Sequence, residues 1–262
     1  MASYTQRYIG GDHEAVWAEL GHLGPIPDAL IEDCAAVARE TMQRVAGHVA
    51  RLAEQLTELG FDSTETLLTP PTATDHAELD LLASEIRTVP VALDACLRYV
   101  GGVWFVGDCP ALDVEPDGLP SNEMQWCEPN GPDTGYFRYP DPNPVLHGYA
   151  DPLVLPDVAY LRYAWDAYRE QLSESPALTL EGFDFDFAPD EHHKANVSGS
   201  THNIRLTQLV ADPVIHGVHG RPNVTLVDYL RLSISWGGMP GWSFDPEFAP
   251  AALAELRRSP DF

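Results

Sequence analysis

The sequence predicts an α+β fold, and three observations carry that prediction. Residues 88–107, TVPVALDACLRYVGGVWFVG, read as a short helix that stops on two glycines and turns into a buried strand. Residues 225–238 echo the same design: Thr225-Leu-Val-Asp228 resembles a capping box, and the segment ends on Gly237-Gly238. Between them, residues 178–187 alternate with the period of a half-buried strand, Phe183, Phe185 and Phe187 on one side and Asp184 and Asp186 on the other.

In the first unit, Pro90 suits the first turn of a helix, where a missing N–H costs nothing. Leu93, Leu97 and Val100 follow at helical spacing, Gly101 or Gly102 can take the left-handed conformation that ends a helix, and 103–106 is bulky and apolar enough for a covered strand. In the second, Leu226, Leu230 and Ile234 share one helix face.

Taken in order, residues 1–11 are expected to pack as a short arm before a helix capped by Asp12, with Val16, Trp17 and Leu20 inward and Gly24-Pro25 as its break. The longest element runs from 28 to 59 without a proline. Its apolar residues Ala38, Met42, Val45, Val49, Leu52, Leu56 and Leu59 step by four and three, the spacing of a heptad seam. That seam fits a helix lying across its own domain; the alternative is self-pairing into a homodimer. Gly60 is its expected C-cap. A short strand falls within 61–68, then Thr74 or Asp75 caps a helix carrying Leu79, Leu82 and Ile86.

From 108 to 156 prolines recur among aromatic residues, which argues for an ordered, surface-covering loop region with a short strand near 153–155. Asp157 caps the following helix, whose buried stripe is Val158, Leu161, Trp165, Tyr168 and Leu172. A further strand is expected within 202–210, turns at Asp212-Pro213, Gly217 and Gly220, a tight loop at 237–242, and a final short helix within 250–258.

Forty acidic residues against 15 basic ones give a formal charge of −25, and Lys194 is the only lysine. This balance disfavours binding to nucleic acid or to an anionic membrane; it favours solubility and suits a basic protein partner. A salt-loving host would explain the acidity equally well. The four cysteines, Cys34, Cys96, Cys109 and Cys127, have no CxxC spacing. There is no charged-then-apolar N-terminal segment and no run near eighteen apolar residues, so the expectation is a cytoplasmic protein with no membrane span and no disulfides.

The densest polar cluster lies at 190–203, between expected strands: His192, His193, Lys194, Asn196, Ser198 and His202. With Trp236 and Trp242 these are the candidate ligand-binding residues. The histidines follow neither the HExxH nor a CxxC pattern, so no metal and no cofactor is expected. Ser198 lacks the G-x-S-x-G elbow of an acyl-transfer nucleophile. Gly237-Gly-Met-Pro-Gly follows a helix rather than a strand, the wrong context for a dinucleotide. The bland readings are turn chemistry for Asn196 and Ser198 and core bracing for the tryptophans. Nothing pairs two carboxylates across a cleft, and protein binding is the expectation; the alternative is a small-molecule enzyme or binding protein whose pocket uses the 190–203 loop with Trp236 or Trp242.

Pro90, Leu93, Leu97, Tyr99, Gly101 and Gly102 resemble the pattern of the SMI1/KNR4 (SUKH) superfamily, in which a proline opens a helix and a double glycine precedes a strand. The helix beginning at Thr225 falls where such proteins carry a short Phe- or Leu-bearing helix, so the resemblance spans roughly 76–242. It implies a mainly antiparallel sheet flanked by helices. It divides the chain into an N-terminal helical extension, 1–70, and a family-like domain, 71–262, with the proline-rich insertion 108–156. It also implies a protein-binding role. Bacterial members look like immunity proteins that neutralise toxin enzymes, often nucleases, and the family supplies no catalytic residues.

Overall fold

The computed structural model describes residues 2–63, 65–112, 125–127, 136–138, 150–175, 177–188, 202–218, 221–244, 246–247 and 249–262. The fold is α+β, as expected. Its helices are α1 (Tyr4–Ile9), α2 (His13–His22), α3 (Ile31–Glu58), α4 (Ala73–Ile86), α5 (Val91–Tyr99), α6 (Val158–Glu174), α7 (Leu226–Ser235) and α8 (Leu253–Leu256). The strands are short: β1 (Leu68–Thr69), β2 (Gly102–Trp104), β3 (Gln125–Cys127), β4 (Tyr136–Arg138), β5 (Val154–Leu155), β6 (Asp184–Asp186), β7 (Asn203–Arg205) and β8 (Ile215–His216). They pair antiparallel throughout, in the orders β1-β2-β5, β3-β4 and β6-β7-β8.

The long helix is the floor of the core. Ala38, Met42, Val45, Val49, Leu52 and Leu56 are all buried within the chain, and α3 packs most extensively on α5 and also touches α1, α7 and α8. The heptad spacing therefore serves intramolecular packing, and the apolar surface that self-pairing would need is already covered. One hydrophobic cluster runs from Tyr8 through α3, α5 and the strands to Phe262, so it takes residues from both 1–70 and 71–262.

Several local expectations change. The N-terminal arm is a helix: Ser3 and Gln6 form a reciprocal capping box, and the Asp33 carboxylate of α3 accepts the Tyr4 and Thr5 N–H groups at 2.7 and 3.0 Å. A carboxylate from a distant helix thus satisfies donors that would otherwise fray. Asp12 precedes α2 without capping it, because Arg7 holds its carboxylate at 2.6 Å. The cap of α4 is Thr72, with Asp75 at the third position of the box rather than at the cap. At α7 the Thr225 side chain accepts from Asp228 N–H, but the Asp228 carboxylate turns to Arg231 at 3.0 Å instead of closing the box.

The strand expected at 178–187 shrinks to β6. Leu178 and Leu180 are exposed and precede it in a turn and a 3-10 segment, while Phe183, Phe185 and Phe187 are buried as the alternation requires. The strand expected at 61–68 survives only as its last residue, in β1, with a single bridge between Asp62 and Asp108 further back. The short strand expected near 153–155 is β5. Cys34 and Cys96 are buried thiols, and burial pushes both up, to about 11 and about 12.

Candidate functional site

Of the residues singled out from the sequence, His192, His193, Lys194, Asn196 and Ser198 lie outside the described residues. His202 is fully buried, its Nε2 4.0 Å from Asp151 Oδ2 and its ring edge-on to Tyr229 at 5.5 Å. Trp242 and Trp236 are 2% and 9% exposed and belong to the hydrophobic cluster. The guanidinium of Arg257 stacks over Trp236 at 3.9 Å. The structure thus sets these three residues in the core as braces. They do not line the open concavity described below.

The open concavity that best suits a macromolecular partner sits on the β1-β2-β5 sheet. It has a volume of about 360 Å³. Gly102 on the central strand lines it; a Cβ there would come within 3.2 Å of Thr69 Cβ and 3.4 Å of Asp157 Cβ, a tight fit that glycine relieves. Trp104 and Tyr160 supply the aromatic walls, and Glu65 and Asp157 supply carboxylates.

Each of these is positioned by local structure. Strand pairing sets Trp104 opposite Val154. Asp157 is the N-cap of α6, accepting Tyr160 N–H at 2.8 Å, and this fixes Tyr160 in the first turn. The Tyr160 ring lies 6.0 Å from buried Phe185 and 6.3 Å from Tyr163, which is 71% exposed. Glu65 is carried on a loop held by Ser63, whose hydroxyl donates to Val106 O at 2.7 Å and accepts from Glu65 N–H at 3.3 Å.

The nearby cations are already engaged. Arg162 on α6 bonds Glu78 and Glu85 across to α4, and Trp165 Nε1 donates to Glu85 at 2.8 Å. These partners hold the Glu85 carboxyl below its ordinary range, Arg162 contributing most. Arg98 is bound by Asp94 and Asp80, each at 2.7 Å. The described lining of the cavity carries two carboxylates and no basic side chain. Apolar rings beside open carboxylates suit a cationic side chain with an apolar stem, which can lie on the rings while its charge meets the acids.

Sequence reasoning missed this site. Trp104 lies in a stretch read simply as a covered strand, and nothing local ties it to Tyr160. No helix among the described residues is long and apolar enough to cross a membrane. Comparison with family models, with curated proteins and with solved structures finds no match.

Proposed function

We propose that the chain is a protein-binding module whose partner is a basic protein, acting as an immunity or regulatory factor. The observation that carries this reading is the concavity on the β1-β2-β5 sheet, where Trp104 and Tyr160 stand beside Glu65 and Asp157 with no cation in the lining. Aromatic side chains in a partly dry pocket are the usual anchors of a protein interface, and exposed Tyr163 extends the patch. The charge of −25 adds long-range attraction for a basic partner. The resemblance of the Pro90 to Gly102 unit to SMI1/KNR4 proteins points the same way.

The test is capture from the source organism at low and high salt, with wild type and with Trp104→Ala and Glu65→Gln. The expected result is one basic protein recovered by the wild type at low salt, with slower association as salt rises. Trp104→Ala should weaken that binding by ~10-fold or more, as loss of an aromatic anchor does. Recovery of nothing basic at either salt, or equal binding by both variants, defeats the proposal.

A further inference from the structure

The concavity on the β1-β2-β5 sheet opens beside a strand edge. Strand β1 pairs with β2 on one side, and no described residue pairs with its other side. Trp104 N–H donates to Leu67 O at 2.9 Å, and Leu68 and Thr69 lie opposite Val103 and Gly102. Pairs in an antiparallel ladder alternate between bonded and non-bonded. Leu67 and Thr69 therefore turn their backbone groups to β2, and Leu68 turns its N–H and C=O outward. Neither outward group takes a backbone partner among the described residues. Glu65, Thr66 and Thr69 are exposed and Leu68 is half-buried, so solvent reaches this edge. Such an edge is a template for another strand.

The pleat then decides which side chains of an added strand reach the concavity. Val103 and Leu155 are buried on the core face of the sheet, each 2% exposed. Gly102 and Trp104 face the other way, onto the concavity, as does Thr69 opposite Gly102. All strand pairs among the described residues are antiparallel. In a strand added the same way, the residue opposite Leu68 exchanges both backbone bonds with it and turns its side chain to the core face. The residues on either side of it send theirs across β1 into the concavity. Strands lie about 4.8 Å apart, a gap that a long side chain spans.

Charge sets the identity of those side chains. Glu65 is exposed, and Asp157 commits one oxygen to its cap, accepting Tyr160 N–H at 2.8 Å. The described lining has no basic side chain. A lysine or arginine lays its apolar stem on Trp104 and carries its charge to the carboxylates. An acidic side chain meets like charge there.

We propose that the basic partner adds an extended segment antiparallel to the edge of β1, with lysine or arginine at alternate positions reaching into the concavity. This rests on the protein-binding reading above and names the form in which the partner is recognised.

The probe is a blocked peptide of alternating valine and lysine, whose valines take the bonding positions opposite half-buried Leu68. Two further versions carry N-methyl groups, on the valines in one and on the lysines in the other. In calorimetric titration of the full chain, the parent and the lysine-methylated peptide should bind alike. Methylation of the valines should weaken binding by ~10-fold or more, because it removes the backbone donors. Trp104→Ala should weaken binding of the parent by a similar factor. Exchange of the Leu68 amide hydrogen should slow by ~10-fold or more in saturating peptide. Equal affinity of the two methylated peptides marks charge attraction alone and overturns the proposal. So does an unchanged Leu68 exchange rate in saturating peptide, or no binding of the parent at millimolar concentration. The capture experiment reads the underlying premise separately. A basic protein recovered alongside any of these negative results defeats strand addition alone, whereas peptide binding as expected with no basic protein recovered defeats the partner reading alone.

Discussion

The two helix–Gly–Gly units, α5 with Gly101-Gly102 and α7 with Gly237-Gly238, look alike in sequence and are built differently. At the first, only Gly101 is left-handed, with φ 76°, and Gly102 enters β2. At the second both are left-handed, φ 63° and 83°, and the chain continues into a 3-10 turn, Pro240–Ser243. The N-termini differ as well. Pro90 provides no side-chain cap for α5, whose first N–H groups go instead to Val210 O and Ala211 O at 3.0 and 2.9 Å. The donors of α7 go to the Thr225 hydroxyl, to Pro213 O and to the Asp212 carboxylate. One segment, 210–213, therefore caps both helices, backbone to one and partly by a titratable side chain to the other. The lesson is that one punctuation mark can start a strand or a turn, and the chain that packs beside it decides which.

The strongest way to break both units together is at α3, which underlies them. Leu52 is 1% exposed, and a Cβ on Gly238 would lie 3.9 Å from its Cδ1. Leu52→Asp should cost roughly 4 kcal/mol or more, a large part of a usual domain stability, and should abolish cooperative urea unfolding. A folded Leu52→Asp protein that elutes smaller than wild type on a sizing column would instead show the seam to be an intermolecular surface.

Alanine substitution at the glycines separates the units. A Cβ at Gly101 would sit 2.4 Å from Thr69 O and 2.8 Å from Pro71 Cδ, at a positive φ. Backbone cannot yield there, so Gly101→Ala should cost about 3 kcal/mol. Gly238→Ala meets the edge of the Phe105 ring at 2.8 Å, and a ring can shift, so about 2 kcal/mol is expected. Gly102→Ala, at negative φ and 3.2 Å from Thr69 Cβ, should cost ~1 kcal/mol or less. Denaturant midpoints that fail to rank in this order would refute the account of the two turns.

The smallest effect is confined to the second unit and depends on pH. The Asp212 carboxyl titrates at about 7 when folded, raised from 3.8 by burial against the opposing pull of its hydrogen bonds. A raised folded value means the folded state binds the proton more tightly. The corresponding stabilisation is complete below the unfolded value and is lost as pH rises through neutrality. Asp212→Asn removes this dependence while keeping an acceptor for Val227 N–H. Thermal melts should therefore show wild type losing ground to Asp212→Asn from acidic to mildly alkaline pH, by ~2–4 °C for each kcal/mol involved. Parallel curves for the two proteins would place the titration elsewhere.

Much of the helical skeleton was legible because its causes are local. Asp157 caps α6, Gly60 and Gly101 are left-handed where helices stop, and the heptad of α3 and the alternation of Phe183, Phe185 and Phe187 report burial directly. Helix α1 was not legible, since its N-terminal donors are met by Asp33 of another helix. Nor was β8, whose two residues have no period to read and pair only because β7 lies beside them.

The sequence by itself determined the class of fold, the long helix and its buried seam, the two glycine-ended units and the charge of −25, because each follows from residue type and spacing along one stretch. Only the tertiary structure decided where open polar chemistry gathers. Strand pairing brings Trp104 beside the cap of α6, and Glu14 of α2 and Arg231 of α7 come to line one groove. It also withdrew His202, Trp236 and Trp242 from solvent. The physical reason is the same in each case: exposure and convergence are properties of neighbours distant in the chain, and a local pattern carries no record of them.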